Sequence, residues 1–208
     1  MDISLLKQIF ENREPRPFHK YQYYSVLVPL VNHNDSTHML FEVRADQLKR
    51  QPNEICFPGG RVEKNESPKA SSIRETHEEL NIPTDKIKII SELDYVVTYS
   101  NFTLYTFLGE LDIQDVKDIK MNKEEVQEVF IVPFDFFFEP DPLLHEVDIR
   151  PNVKDDFPFE LLQNGKDYNW RTGKLPVYFY QYEDKVIWGL TARIIANMVR
   201  IIKEDQKK

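Results

Sequence analysis

A glycine pair, Gly59-Gly60, leads into a helix bearing Arg74, Glu75, Glu78 and Glu79, and no other stretch constrains the chain as much. Ser67 stands as N-cap with Pro68 at the first helical position, a clean helix start. At about 100° per residue, Glu79 lies about 40° to one side of Glu75, Glu78 about 60° to the other, and Arg74 about 100° away. Three carboxylates therefore share one side of a helix, with a single arginine beside them. Like charges three or four residues apart cost an isolated helix ~0.2–0.5 kcal/mol per pair, and only Arg74 offers local relief. A divalent cation among the carboxylates turns that cost into binding. Oxygen donors without paired thiolates or imidazoles suit Mg²⁺ or Mn²⁺. The Gly59-Gly60 turn lets backbone approach a metal or a phosphate with no Cβ in the way. The alternative is a solvated acidic face, which requires spacing, glycine pair and arginine all to be accidental.

The same residues resemble the signature of the Nudix hydrolases, G-x5-E-x7-R-E-U-x-E-E-x-G-U, where U is bulky and apolar. Gly60, Glu66, Arg74, Glu75, Glu78, Glu79 and Ile82 stand in its places. Thr76 departs from it at the first U. Asn81 replaces the second glycine, at a helix end where a left-handed residue is wanted and Asn is the next choice after Gly. Upstream, Leu40, Arg44, Ala45, Phe57, Pro58, Gly59 and Gly60 fit a pattern of the coenzyme A pyrophosphatase subfamily, L-L-T-x-R-S/A-x3-R-x3-G-x3-F-P-G-G. There, Phe41 and Glu42 stand where Leu and Thr are usual, Lys49 where Arg is and Asn53 where Gly is. Lysine keeps the charge but loses the bidentate fork. Asn53 again suits a left-handed position. The stretch Ile187-Trp188-Gly189-Leu190-Thr191-Ala192 is similar to the I-W-G-x-T-A of that subfamily, and reads physically as a packed strand-to-helix junction.

The resemblance implies an α/β (α+β) Nudix fold, a mixed β-sheet sandwiched between α-helices. It implies hydrolysis of a diphosphate that links a nucleoside to another group. Glu75, Glu78 and Glu79, with the Gly60 carbonyl, would hold Mg²⁺ or Mn²⁺. One of them or Glu125 would orient or deprotonate the attacking water, and Arg74 would fix Glu78 or a partner carboxylate. Glu66 reads as a helix-entry charge rather than a principal ligand. Within the subfamily the substrate is coenzyme A or an acyl derivative, giving phosphopantetheine and adenosine 3′,5′-bisphosphate. Two rivals stand beside this: a Nudix pyrophosphatase for ADP-ribose or another nucleoside diphosphate derivative, and a non-catalytic Nudix module that binds a nucleotide or a protein. A dead copy is expected to lose a metal-binding glutamate, and all three are present.

Composition sets outer bounds. A chain of 208 residues with 41% hydrophobic and 30% charged content suits one soluble domain, 1–208. No run approaches the ~18–20 apolar residues of a membrane span, and Met1 to Arg13 lacks the pattern of a signal peptide. A single cysteine, Cys56, rules out an internal disulfide and fits a reducing cytosol. It reads as a small buried hydrophobe rather than a nucleophile. A net charge of −8 argues against a nucleic-acid surface. A small polyanionic diphosphate is compatible with it, because a bound cation reverses the local field. Oligomeric state is left open, with a homodimer as one option.

Along the chain, residues 3–12 repeat apolar residues at helical spacing, and Arg13-Glu14-Pro15-Arg16-Pro17 forms a stiff connector. Tyr23–Val31 and His38–Arg44 read as strands around a turn at Asn32–Asp35, and Glu54–Phe57 as a short strand. Arg44, Lys49 and Arg50 are either ordinary surface charge or a cationic rim for substrate phosphates. Strands are expected at Ile87–Ile90, Asp94–Tyr99, Leu104–Leu111 and Val126–Val132, with Ser100-Asn101 as a hairpin turn. Tyr95, Tyr99, Phe102 and Tyr105 read as packing in preference to a base-stacking platform. Pro133–Phe138 is an aromatic helical turn. Residues 139–175, broken by four prolines, read as an irregular insertion: a lid, a binding flap or a mobile excursion. A hairpin around Glu183-Asp184 and a helix from about Leu190 to Lys203, with a stripe of Ile194, Ile195, Met198, Ile201 and Ile202, close the chain.

Overall fold

The Asp2 carboxylate opens α1 (Ile3–Phe10), accepting the Leu5 N–H at 3.0 Å. The computed structural model describes residues 2–15, 17 and 21–208; Arg16 of the expected connector lies outside the described residues. The expected apolar stripe of α1 is present, yet none of its residues is buried. Next come β1 (Gln22–His33) and β2 (Ser36–Arg44), joined through Asn34 and Asp35 at φ 50° and 58°. Paired left-handed residues are what a two-residue hairpin needs to match strand twist.

After β3 (Ile55–Cys56) and β4 (Gly59–Arg61) come α2 (Pro68–Leu80), β5 (Ile87–Glu92), β6 (Val96–Val97), β7 (Phe102–Leu111) and β8 (Val126–Pro133). The chain continues through β9 (Leu143–Ile149), β10 (Gly173–Tyr182), β11 (Lys185–Trp188) and α3 (Gly189–Asp205). The main sheet runs β3-β2-β1-β7-β5, with β4 on β1, β6 on β7 and β8 on β2. β1 and β7 are parallel over Gln22–Leu30 and the other pairs antiparallel, so the sheet is mixed.

Alternation along the strands divides the core. Val28, Met39, Phe41, Leu104 and Val132 face α3, β10 and β11, meeting Ile194, Ile195, Met198, Tyr180 and Ile187. Leu27, Val31, Leu40 and Phe107 face the other way, against Leu80 and Ile82 at the end of α2. Fully buried side chains such as Phe41 and Leu27 each contribute ~1.5–3 kcal/mol. The sheet thus lies between helices, as the resemblance implies. In α3 the stripe includes Val199, while Ile201 is exposed.

Three local expectations are corrected. The strand expected at Asp94–Tyr99 shrinks to Val96–Val97, and Tyr95 and Tyr99 are 61% and 69% exposed, outside the core. Phe102 does pack, edge-on to Tyr24 at 5.3 Å, and Tyr105 lies between Tyr23 and Tyr95 at 6.1 and 5.9 Å. Residues 139–175 are not irregular throughout: β9 pairs antiparallel with β10, which begins at Gly173, giving a second sheet β11-β10-β9. Glu146 and Asp148 alternate with Val147 and Ile149, a short strand period, but every residue from Leu143 to Asp148 is exposed, so β9 has no buried face to extend that signal. The Gly59–Arg61 strand was also unexpected; its pairing to β1 at Ser25 and Gly60 is a tertiary event that a glycine pair conceals.

Candidate active site

The local sequence of α2 sets its position. Ser67 Oγ accepts the Ala70 N–H at 3.1 Å, Pro68 follows, and Asn81 closes the helix at φ 51°, ψ 30°. Ser71, Ser72 and Thr76 are buried, and Thr76 Oγ1 donates to the Ser72 carbonyl at 2.7 Å. The helix is therefore fixed with Glu79 turned inward and Glu78 outward.

Glu79 is 4% exposed, and its Oε2 accepts the Gly59 N–H at 2.8 Å. Burial, then the neighbouring Glu42 charge, push its carboxyl well above the usual range, and the Gly59 hydrogen bond opposes them. Glu75 is partly buried, and burial raises its carboxyl while Arg74 pulls the other way. A Cβ on Gly60 would stand 2.5 Å from both Glu75 carboxylate oxygens, so the absence of a side chain at Gly60 makes the seat for Glu75. The side chain of Glu78 is 50% exposed.

Arg74 organises three carboxylates. Its Nε and Nη2 donate to Glu66 Oε1 and Oε2 at 2.9 and 3.0 Å, and Nη1 lies 2.8 Å from Glu75 and 2.9 Å from Glu78. Glu66 also accepts the Glu63 N–H at 3.0 Å, and the Arg74 fork, first among causes, holds it below the ordinary carboxylate range. Glu66 thereby fixes the arginine at the entry to the helix.

Glu125 sits in the 122–125 turn, exposed, with its carbonyl accepting the Ala45 N–H at 2.9 Å. Its negative charge raises Glu42, Glu75 and Glu79, so it belongs electrostatically to the same cluster. Arg44 is half-buried with its Nε lacking a partner, and its charge acts on Glu42. Lys49 and Arg50 are exposed, and Arg44 Nη2 donates a long hydrogen bond, 3.5 Å, to the Arg50 carbonyl.

In the sequence Glu42 stands out only as a departure from the subfamily pattern. It is 1% exposed, its Oε1 accepts the Cys56 thiol at 3.2 Å, and its Oε2 is buried without a hydrogen-bond partner. Burial lifts its carboxyl to about 7, and lifts the Cys56 thiol too, which leaves that cysteine unreactive. The available signal was a carboxylate inside the apolar strand Met39-Leu40-Phe41-Glu42-Val43.

Among the described residues no three carboxylate, imidazole or thiolate groups already meet around one ion position. The donor types nevertheless fit Mg²⁺ or Mn²⁺: oxygen donors, an orphaned buried carboxylate oxygen and a glycine-lined seat beside Glu75. A cleft of about 380 Å³ lies between Leu93–Val96 and α3, lined by Asp94, Arg193 and Asn197 but by none of these glutamates. The chemistry resides with the carboxylates.

The NUDIX domain matches residues 23–155, which span the sheet, the glycine pair, α2 and the Glu125 turn. The chain belongs to this family. It is an enzyme of the Nudix hydrolase type. It is 28% identical over 191 residues to the peroxisomal coenzyme A diphosphatase NUDT7 of Mus musculus, covering 88% of this chain and 71% of that one. It is 26% identical over 190 residues to a Nudix hydrolase, NudL, of Pectobacterium atrosepticum, covering 91% of this chain and 87% of the relative. A crystal structure of a MutT/nudix family protein from Enterococcus faecalis matches all of the chain and 71% of its own, at TM-score 0.51 and 14% identity, which shows the fold alone. Among the described residues of this Nudix chain, no helix is long and apolar enough to cross a membrane.

Proposed function

We propose that this chain hydrolyses coenzyme A or acyl-coenzyme A with Mg²⁺ or Mn²⁺, giving phosphopantetheine or its acyl form and adenosine 3′,5′-bisphosphate. The single observation that carries the diphosphatase chemistry is the arrangement at the glycine pair: Gly59 N–H holds Glu79 while Gly60 seats Glu75. Likeness to the mouse coenzyme A diphosphatase over most of the chain supports the substrate. So do Arg44, Ala45 and the Phe57–Gly60 stretch.

Glu75, Glu78, Glu79 and the Gly60 carbonyl would hold the cation. When bound, the cation neutralises phosphate oxygens and stabilises the leaving phosphate. Arg74 keeps Glu75 and Glu78 oriented from one side. Glu125 or one of the helix glutamates takes a proton from the water that attacks phosphorus, as the bridging P–O bond breaks. Arg44, Lys49 and Arg50, upstream of the Gly59-Gly60 pair in the sequence, would form the cationic rim for the remaining phosphates. The reading takes residues 1–208 as one catalytic domain, with the 139–175 insertion as a lid over substrate, in the cytosol that the single cysteine fits.

The test is a panel of coenzyme A, acetyl-coenzyme A, ADP-ribose and diadenosine polyphosphates, with products resolved by chromatography, in Mg²⁺, in Mn²⁺ and in EDTA. Preference for the coenzyme A pair, lost in EDTA, is expected. Faster turnover of ADP-ribose or a dinucleotide would overturn the substrate. Turnover of none, under any metal, would overturn the activity.

A further inference from the structure

We propose that Glu42 is an additional cation-binding carboxylate of this site, contributed by β2. The proposal rests on the reading above that the α2 glutamates bind a divalent cation. The resemblance to the coenzyme A pyrophosphatases gives no such role to this position, where threonine is usual.

Strand alternation supplies the first support. Met39 and Phe41 point into the core beneath α3, while Leu40 points into the core beneath α2. Glu42, two residues beyond Leu40, therefore projects toward α2. Its register partner on β3 is Cys56, three residues before the Gly59 that holds Glu79.

The second support is the unmet oxygen. Buried polar groups are almost always paired, and one that is not calls for an explanation. Glu42 Oε1 is taken by the Cys56 thiol, and Oε2 has neither a donor nor solvent. Its electrostatic neighbours are Glu79, Glu75 and Glu125, all of one sign, against Arg44 alone. A fully buried carboxylate facing three others is poorly explained by packing, since threonine or valine would fill β2 without the penalty. A divalent cation shared with Glu79 satisfies the oxygen and cancels the repulsion together.

Charge count then has a consequence. Four carboxylates, Glu42, Glu75, Glu78 and Glu79, give a higher cation affinity than the three that remain when threonine replaces Glu42. Affinity rises with the number of anionic ligands.

The experiment is direct Mn²⁺ titration of the full chain without substrate, following loss of the free-ion electron paramagnetic resonance signal. Wild type, Glu42→Gln, Glu42→Thr and Cys56→Ala are compared, with circular dichroism as a check of folding and the Mn²⁺-induced rise in Tm as a second readout. Glu42→Gln and Glu42→Thr are each expected to weaken Mn²⁺ binding at least tenfold and to shrink the Tm rise. Cys56→Ala, which removes only the thiol contact, is expected to bind within about twofold of wild type. If either folded Glu42 variant binds within twofold of wild type, the proposal is overturned. An equal loss in Cys56→Ala would also overturn it, since the thiol contact and not the free oxygen would then matter. A wild type that binds no Mn²⁺ would overturn the metal-dependent reading itself, together with this one.

Discussion

Alanine at Gly59 and alanine at Gly60 differ by one residue and should fail in different ways. At Gly60 the new methyl carbon would stand 2.5 Å from both Glu75 carboxylate oxygens, where ordinary contact begins near 3.4 Å. The carboxylate must retreat by ~1 Å, and it is the far end of a side chain that rotates, so the fold yields at little cost. Arg74, 2.8 Å from Glu75, is pulled along or let go. A 1 Å misplacement of a catalytic group costs on the order of 100-fold in rate. At Gly59 the methyl meets Val26 Cγ1 at 2.6 Å, Val26 Cα at 2.7 Å and the Ser25 carbonyl oxygen. Backbone cannot rotate aside, so overpacking of ~1–3 kcal/mol is expected. Urea unfolding and initial rates on the substrate the wild type prefers, with saturating Mg²⁺, measure both. Gly60→Ala should lose under ~1 kcal/mol of stability and about 100-fold in kcat/KM; Gly59→Ala should lose ~1–3 kcal/mol of stability. A Gly60→Ala enzyme within threefold of wild-type kcat/KM would refute the seat assigned to Glu75. So would equal stability losses in the two variants.

Further outcomes follow from the same site. In EDTA, the raised Glu42 carboxyl means that the folded chain keeps a proton which the unfolded chain releases between the ordinary value of 4.5 and about 7. Stability is therefore full below that window and falls as pH rises through it, by ~3 kcal/mol for a shift of that size; urea unfolding at pH 5 and pH 8 should show the fall in wild type and a smaller one in Glu42→Gln. Arg74→Lys keeps the charge but not the fork to Glu66, so kcat should drop at least tenfold while Tm moves by only a few degrees; an unchanged kcat would remove Arg74 as the orienting group. Lys49→Ala or Arg50→Ala should cost ~1.5–3 kcal/mol of kcat/KM on coenzyme A and little on 3′-dephospho-coenzyme A, if either meets the extra phosphate. Equal losses on both would move these residues to general steering.

What could be read from the chain is what short range determines. Ser67 and Pro68 start α2, and Asn53 and Asn81 adopt the left-handed conformations expected of them, at φ 61° and 51°. The hairpin at Glu183-Asp184 turns where polarity interrupts two β-rich runs. What escaped the reading depends on partners remote in sequence. The Gly59–Arg61 strand exists because β1 offers it a ladder, and β9 because β10 does. At the site, the α2 glutamates were legible because helical geometry alone puts them on one side. Their division into buried Glu79, braced Glu75 and exposed Glu78 was not, since it depends on how the helix lies on the sheet. Glu42 needed the fold as well, because only strand pairing shows where a carboxylate from residue 42 ends up.

Asn81 does something that the glycine usual at its place cannot. While its backbone ends α2, its side-chain amide donates to the Lys120 carbonyl, and the Asn122 N–H donates to the Glu79 carbonyl at 2.7 Å. The turn that delivers Glu125 is thus latched to the helix that carries Glu75 and Glu79, and on the loop side both partners are main-chain atoms. A latch that reads only backbone places no demand on the side chain at position 120, whereas Asn122 also shapes the turn, its Oδ1 accepting the Glu124 N–H at 3.1 Å. Position 120 is free to drift, and the loop can change its surface there without losing its place beside the carboxylates.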